Sequence, residues 1–231
     1  SSTTSTPVCS IRSPTDVGTL QPPPPHRRRT PAEAWAEVVA GNARFQRGES
    51  AHPHQSVQSR ERVAEGQHPF AALFGCADSR VAAEIVVDQG LGDVFVVRTA
   101  GHVVDPSVLG SLEFGVEVLD IPLIVVLAHT SCGAISATLK AVESGDIPGG
   151  FLRDLVERVS PSILTAHRAG LTSADEIGRE HLRHTTALIA ERSARIAQGI
   201  ADGSLAIVGA QYELTTGATH LVTVLGDIGP T

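Results

Sequence analysis

The chain has 231 residues, of which 42% are apolar and 19% charged, the balance of a globular protein with one sizeable core rather than of a disordered chain. Its formal net charge is −7, and residues 1–30 carry Arg12, Arg27, Arg28 and Arg29 against Asp16, so the remainder is more acidic still, which argues against nucleic acid as a partner. No apolar run approaches the roughly 18 residues of a membrane span, and three cysteines are too few for a disulfide framework in a chain this long.

Residues 1–30 are rich in Ser, Thr and Pro and include Pro22-Pro23-Pro24-Pro25, so they read as a disordered tail. The tetraproline suits a stiff linker better than a recognition motif. Arg27-Arg28-Arg29 is not followed by an apolar stretch of secretory type, so the expected location is cytoplasmic. Free thiols fit such a reducing compartment.

The folded part is expected over 31–231. Thr30-Pro31-Ala32-Glu33 is a helix start with a capping box. Trp35, Val38, Val39 and Phe45 then share one face, which needs a surface from the later domain or from another subunit. His52, Pro53 and His54 lie in a loop, where a solvated pair is the simpler reading than a ligand pair. Apolar runs at 70–75, 94–98, 122–127 and 205–210 read as buried strands, and 220–224 as an antiparallel edge strand. Helices are expected from Val81, after Asp105-Pro106, from Cys132 to about Glu143, over 151–159, and over roughly 174–198 behind the Ser173…Glu176 capping box. The alternation predicts one α/β domain whose mainly parallel sheet, four strands plus the antiparallel edge strand, is flanked by helices and preceded by a helical arm.

Chemistry collects at two strand ends. Gly75-Cys76-Ala77-Asp78-Ser79-Arg80 follows the first strand, and His129-Thr130-Ser131-Cys132-Gly133 follows the third. In an open parallel sheet, ligands bind outside the carboxyl ends of strands. Taken singly, a buried Cys is a small hydrophobe, and Asp78 with Arg80 reads as a helix cap and a surface charge. Together, two thiolates and an imidazole favour zinc over a hard cation, and three protein ligands leave one position open. Asp78 is the nearby residue that could close that position.

These two segments carry the signatures Cys-x-Asp-x-Arg and His-x-x-Cys-Gly, and in them the chain resembles a bacterial-type β-class carbonic anhydrase from Trp35 to the final strand pair. The resemblance implies one zinc per chain on Cys76, His129 and Cys132. It implies an Asp78–Arg80 dyad that orients zinc-bound hydroxide, with Asp78 swinging onto the metal in a closed state. It also implies substrate contacts from Gln67 and from the Gly133 amide, and a homodimer or tetramer with the arm gripping a partner. Two positions depart from the family pattern. Ala128 stands where Gly is common before the zinc His, and Leu73 stands where regulated members carry Trp.

The implied reaction is reversible hydration of CO2 to bicarbonate and a proton, with activity rising into alkaline pH. The alternatives are a zinc-stabilised binding or sensor domain with Asp78 as permanent fourth ligand, and a hydrolase of carbonyl sulfide or carbon disulfide on the same fold. A Cys-x5-Arg phosphatase would need arginine at position 82, which is Ala82.

Overall fold

The computed structural model describes residues 28–230. The expected tail, with its tetraproline and Cys9, lies outside the described residues except for its last three. Of these, Arg28 donates to the Ser204 carbonyl at 3.0 Å and Arg29 sits 4.6 Å from the centre of the Phe70 ring.

Five strands form one sheet: β1 (Ala71–Cys76), β2 (Val94–Thr99), β3 (Leu123–His129), β4 (Ala206–Tyr212) and β5 (Thr219–Leu225). Their order is β2-β1-β3-β4-β5, all parallel except β5, which pairs antiparallel with β4. Every residue of β1, β3 and β4 is buried, as the unbroken apolar runs require.

Alternate residues of these strands enter two cores. Ala71, Leu73, Val125 and Val208 face α1 (Pro31–Gln46) and the short α3 (Ala83–Val86). Ala72, Phe74, Ile124, Val126 and Ile207 face α4 (Pro106–Glu117), α7 (Ala174–Arg192) and α8 (Ala194–Ala201). Each valine, leucine, isoleucine or phenylalanine among them contributes about 1.5–3 kcal/mol by leaving water. A third cluster gathers Cys76 and Cys132 with residues of α5 (Gly133–Ser144), α6 (Phe151–Arg168) and α7 at the carboxyl end of the sheet.

The arm helix finds a surface for most of its apolar face within its own chain. Trp35 and Val38 of α1 pack on Val86, Val87 and the sheet of their own chain, and Phe45 joins them, while Val39 stays exposed. The capping box forms as expected, with Thr30 Oγ1 accepting from the Glu33 amide at 3.2 Å.

Three helices differ from expectation. Helix α2 (Val57–Val63) is polar around its circumference and buries only Ser59, so periodicity does not reveal it. Helix α6 runs past Val159 and through Pro161 to Arg168, because Ile163 and Ala166 are wholly buried in the third cluster and that packing outweighs the lost backbone bond. The long helix expected over 174–198 breaks at Ser193, which leaves the helical conformation to cap α8 through the Ile196 amide and donates to Glu113 Oε1 at 2.6 Å.

Candidate metal centre

The connection after β1 leaves toward β2, whereas the connection after β3 leaves toward β4. Between β1 and β3 the chain therefore diverges, and a crevice opens at their carboxyl ends. Cys76 is the last residue of β1 and His129 the last of β3, and Cys132 stands at the N-cap of α5. Ser131, in the left-handed region at φ 55°, turns the backbone so that Cys132 comes back beside His129.

The ligand atoms of Cys76, His129 and Cys132 lie within 4.8 Å of one another, and all three residues are buried. His129 Nδ1 lies 2.9 Å from the Thr130 carbonyl. A carbonyl only accepts, so that nitrogen carries the hydrogen and leaves the Nε2 lone pair for the crevice. His129 Nε2 is buried and makes no hydrogen bond within the described residues. The two sulfurs are 3.9 Å apart. Two thiolates bound tetrahedrally at ~2.3 Å to one zinc would stand about 3.8 Å apart, whereas a disulfide needs about 2.05 Å. Spacing and donor types thus both fit zinc.

The electrostatics agree. The Cys76 thiol is held well below its usual range, chiefly by a hydrogen bond from Cys132, with further help from His129 and from the Asp78 and Gly101 amides. Cys132 is pushed up in turn, mainly because it is the partner of that thiolate. Burial lowers His129, but the Cys76 thiolate beside it, the Thr130 carbonyl and the Asp78 charge together outweigh burial and raise it.

Asp78 and Arg80 sit at the rim. Asp78 Oδ1 accepts from the Arg80 amide and Nε, both at 2.9 Å, and Oδ2 accepts from an Arg80 terminal nitrogen at 2.7 Å. This fork holds the Asp78 carboxyl well below the usual carboxylate range. Arg80 also donates to the Ser131 carbonyl at 3.2 Å, which ties the first motif to the second. Asp78 Oδ2 lies 3.8 Å from His129 Nε2, so the carboxylate faces the ligand cluster.

The sequence-predicted residues come together except for one. Gly133 opens α5 directly behind Cys132, and the first amides of a helix have no acceptor within it. Gln67 is exposed and lines a shallow depression with Val63, Gly66 and Leu91, none of them a residue of the cluster. His54 is bonded to Asp93 at 2.7 Å and belongs to no metal-ligand cluster among the described residues. Ala128 fits its strand without strain, and Leu73 points into the core beneath α1.

Residues that the sequence did not single out support the site. Arg98 of β2 donates to the Cys76 carbonyl at 3.0 Å and the Asp78 carbonyl at 2.6 Å. Asp175 at the start of α7 accepts from the Ser131 amide at 2.7 Å. Gly101 donates its amide to Cys76 Sγ at 3.3 Å. Nothing local marks these roles, since the partners lie 20 to 44 residues away.

A family model described as "Carbonic anhydrase" matches residues 71–219. A protein of Mycolicibacterium smegmatis named "Carbonic anhydrase" is 55% identical over 199 residues, covering 86% of this chain and 97% of the relative. "Carbonic anhydrase 2" of Mycobacterium tuberculosis is likewise 55% identical, covering 86% of this chain and 96% of the relative. Among solved structures, a tetrameric β-carbonic anhydrase of Sordaria macrospora superposes with a TM-score of 0.65 at 21% identity, covering 81% of this chain and 96% of that one. The Coccomyxa β-carbonic anhydrase in complex with acetazolamide superposes at 0.63 with 24% identity, covering 83% and 84%. The structures speak for the fold, and the family match and the mycobacterial relatives for the chemistry. The chain belongs to the β-carbonic anhydrase family and catalyses the reversible hydration of carbon dioxide.

Proposed function

We propose that Cys76, His129 and Cys132 hold one zinc ion, that Asp78 orients the nucleophile of CO2 hydration, and that Arg80 holds Asp78 in its working position. The observation that carries this reading is the buried, unbonded His129 Nε2 beside two sulfurs at zinc spacing and facing the Asp78 carboxylate. Zinc, when bound, lowers the pKa of water toward neutrality and supplies the hydroxide nucleophile.

The chain's own groups do the rest. An ionised carboxylate is an acceptor only, so Asp78 selects a hydroxyl whose hydrogen points at it and leaves the oxygen lone pair free to attack. Arg80 fixes both Asp78 oxygens and so fixes that direction. The amino end of α5, with the Gly133 amide, favours the negative charge that develops on bicarbonate. The three bonds from Arg80 hold Asp78 as an acceptor at the rim, and ligation by Oδ2 would compete with the terminal nitrogen that Arg80 places on it, which disfavours the sensor reading.

Gln67 precedes β1, whereas the ligands follow it. Six residues of strand span about 16–20 Å at roughly 3.3 Å each, so a substrate contact from Gln67 requires the centre of a second copy. This supports a homodimer or tetramer. Two reduced thiols 3.9 Å apart suit a reducing compartment, and we place the protein in the cytoplasm.

Metal analysis combined with stopped-flow CO2 hydration tests the assignment. One zinc per chain is expected, with turnover that disappears in Asp78→Ala while zinc is retained. Undiminished turnover in Asp78→Ala, or in metal-free protein, would overturn it.

A further inference from the structure

His181 is 2% exposed on α7, and its hydrogen bonds fix its tautomer. Its Nε2 lies 3.0 Å from the Gly101 carbonyl. A carbonyl cannot donate, so Nε2 carries the hydrogen and Nδ1 is the acceptor. The partner of Nδ1 is the hydroxyl of Ser162, itself 1% exposed on α6, at 2.9 Å, and that hydroxyl therefore donates. The chain of bonds runs from Ser162 to His181 to the Gly101 carbonyl.

Gly101 is the next link. It lies in the left-handed region at φ 64° and ψ 21°, and a Cβ there would stand 2.9 Å from the Ala134 side chain. Its amide points the other way, onto Cys76 Sγ at 3.3 Å. One residue is thus gripped on both sides, by His181 on its carbonyl and by the Cys76 sulfur on its N–H. The His102 ring packs tilted against His181 at 4.7 Å between centroids, and neither His102 nitrogen is hydrogen-bonded within the described residues.

We infer that His181 is a positioning residue for the metal centre, setting the amide that Gly101 presents to the Cys76 sulfur and thereby how strongly that sulfur donates to a bound cation. The inference rests on the reading of Cys76 as a zinc ligand. Hydrogen bonds to a metal-bound group orient it and tune its basicity, and losing such a partner typically costs ~10–100-fold in metal affinity. A neutral imidazole donating one hydrogen to a carbonyl can be replaced by the amide of glutamine, but not by phenylalanine.

The test uses the full chain with Zn2+ and with Co2+ as probe. Zinc affinity is measured by chelator competition, and the thiolate-to-cobalt charge-transfer bands by absorption. His181→Phe is expected to bind zinc at least tenfold more weakly and to shift those bands, while His181→Gln stays within about threefold of the wild type. Ser162→Ala, which removes the donor to Nδ1 and loosens the ring, should weaken binding in the same direction by a smaller factor. Leu182→Ala, the neighbouring core residue on α7, should lower the melting temperature without moving the cobalt bands. Wild-type affinity and spectra in both His181→Phe and Ser162→Ala would overturn the inference, as would the same band shift in Leu182→Ala. Should His181→Phe fail to fold, Ser162→Ala and His181→Gln decide alone. A wild-type protein that binds Co2+ without thiolate bands would instead overturn the metal-centre reading itself.

Discussion

Cys76 Sγ and Cys132 Sγ stand 3.9 Å apart although 56 residues separate them in the chain. The pair is thus about 2 Å from disulfide length. Chelator-treated protein exposed to a mild oxidant is expected to form the Cys76–Cys132 disulfide and lose activity, and zinc-loaded protein to resist. Reductant followed by zinc should restore activity. Thiol titration and peptide mapping check this, and a bridge that instead used Cys9 would contradict it.

Asp78 is held ionised by the Arg80 fork, with its carboxyl well below the usual range. A carboxyl lowered in this way stays charged throughout pH 6–9, so it contributes no titration there. Activity should nonetheless rise with pH in that window, because two thiolate ligands leave the water of the site less acidic than three neutral histidines would. Asp78→Asn is expected to lower the whole pH–rate curve by about 100-fold or more without moving its midpoint. Arg80→Lys should retain part of that loss, since lysine keeps the charge but not the fork. A midpoint that moved in Asp78→Asn would assign the limb to Asp78.

Asp88 is buried and accepts from Arg44 of α1 at 2.5 Å and from the Ala51 and His52 amides at 2.9 and 3.0 Å. Burial pushes its carboxyl up, but these bonds outweigh burial and the net direction is down. The folded value therefore lies below the unfolded one, near 3.9. Its contribution to stability is present above the unfolded value and is lost as pH falls through the folded one. Asp88→Asn should cost about 2 kcal/mol at pH 7, and the gap in melting temperature should narrow as pH falls below the ordinary carboxylate range. A gap independent of pH would show that packing, not charge, carries the effect.

Asp175 caps the left-handed Ser131 from the start of α7, and Ser131 in turn accepts from Arg80. Asp175→Ala should cost about 1.5–3 kcal/mol of stability and let the His129–Cys132 turn relax. Hydrogen exchange should then rise at the amides of Thr130 to Gly133 more than in the strands. Uniform exchange across the sheet would point to a global loss instead.

The sheet was legible because β1, β3 and β4 are apolar on both faces and the turns between elements carry Gly, Pro and Asp. The ligands and the dyad were legible because their spacing is local: Asp78 and Arg80 lie within five residues of Cys76, and His129 within four of Cys132. Ser193 escaped notice because a serine between Arg192 and Ala194 reads as part of one helical face. Its contact with Glu113, 80 residues earlier, fixes the break. Arg98, Asp175 and His181 were invisible for the same reason. Each acts on a backbone group far away in sequence, and a backbone partner leaves no mark on residue identity.

The two crossovers that depart in opposite directions from β1 and β3 also bear on how the protein tolerates change. Helices α5, α6 and α7 of the second crossover pack around Cys76 and Cys132, so it is the loops between these helices, rather than their buried faces, that can be lengthened. The segment 145–150 leads away from α5, and around Gly149 and Gly150 nothing stands within 4 Å of where a side chain would begin. A peptide tag or a small domain inserted there is expected to leave turnover and metal content intact, which makes this loop the natural point for tethering the enzyme to a surface.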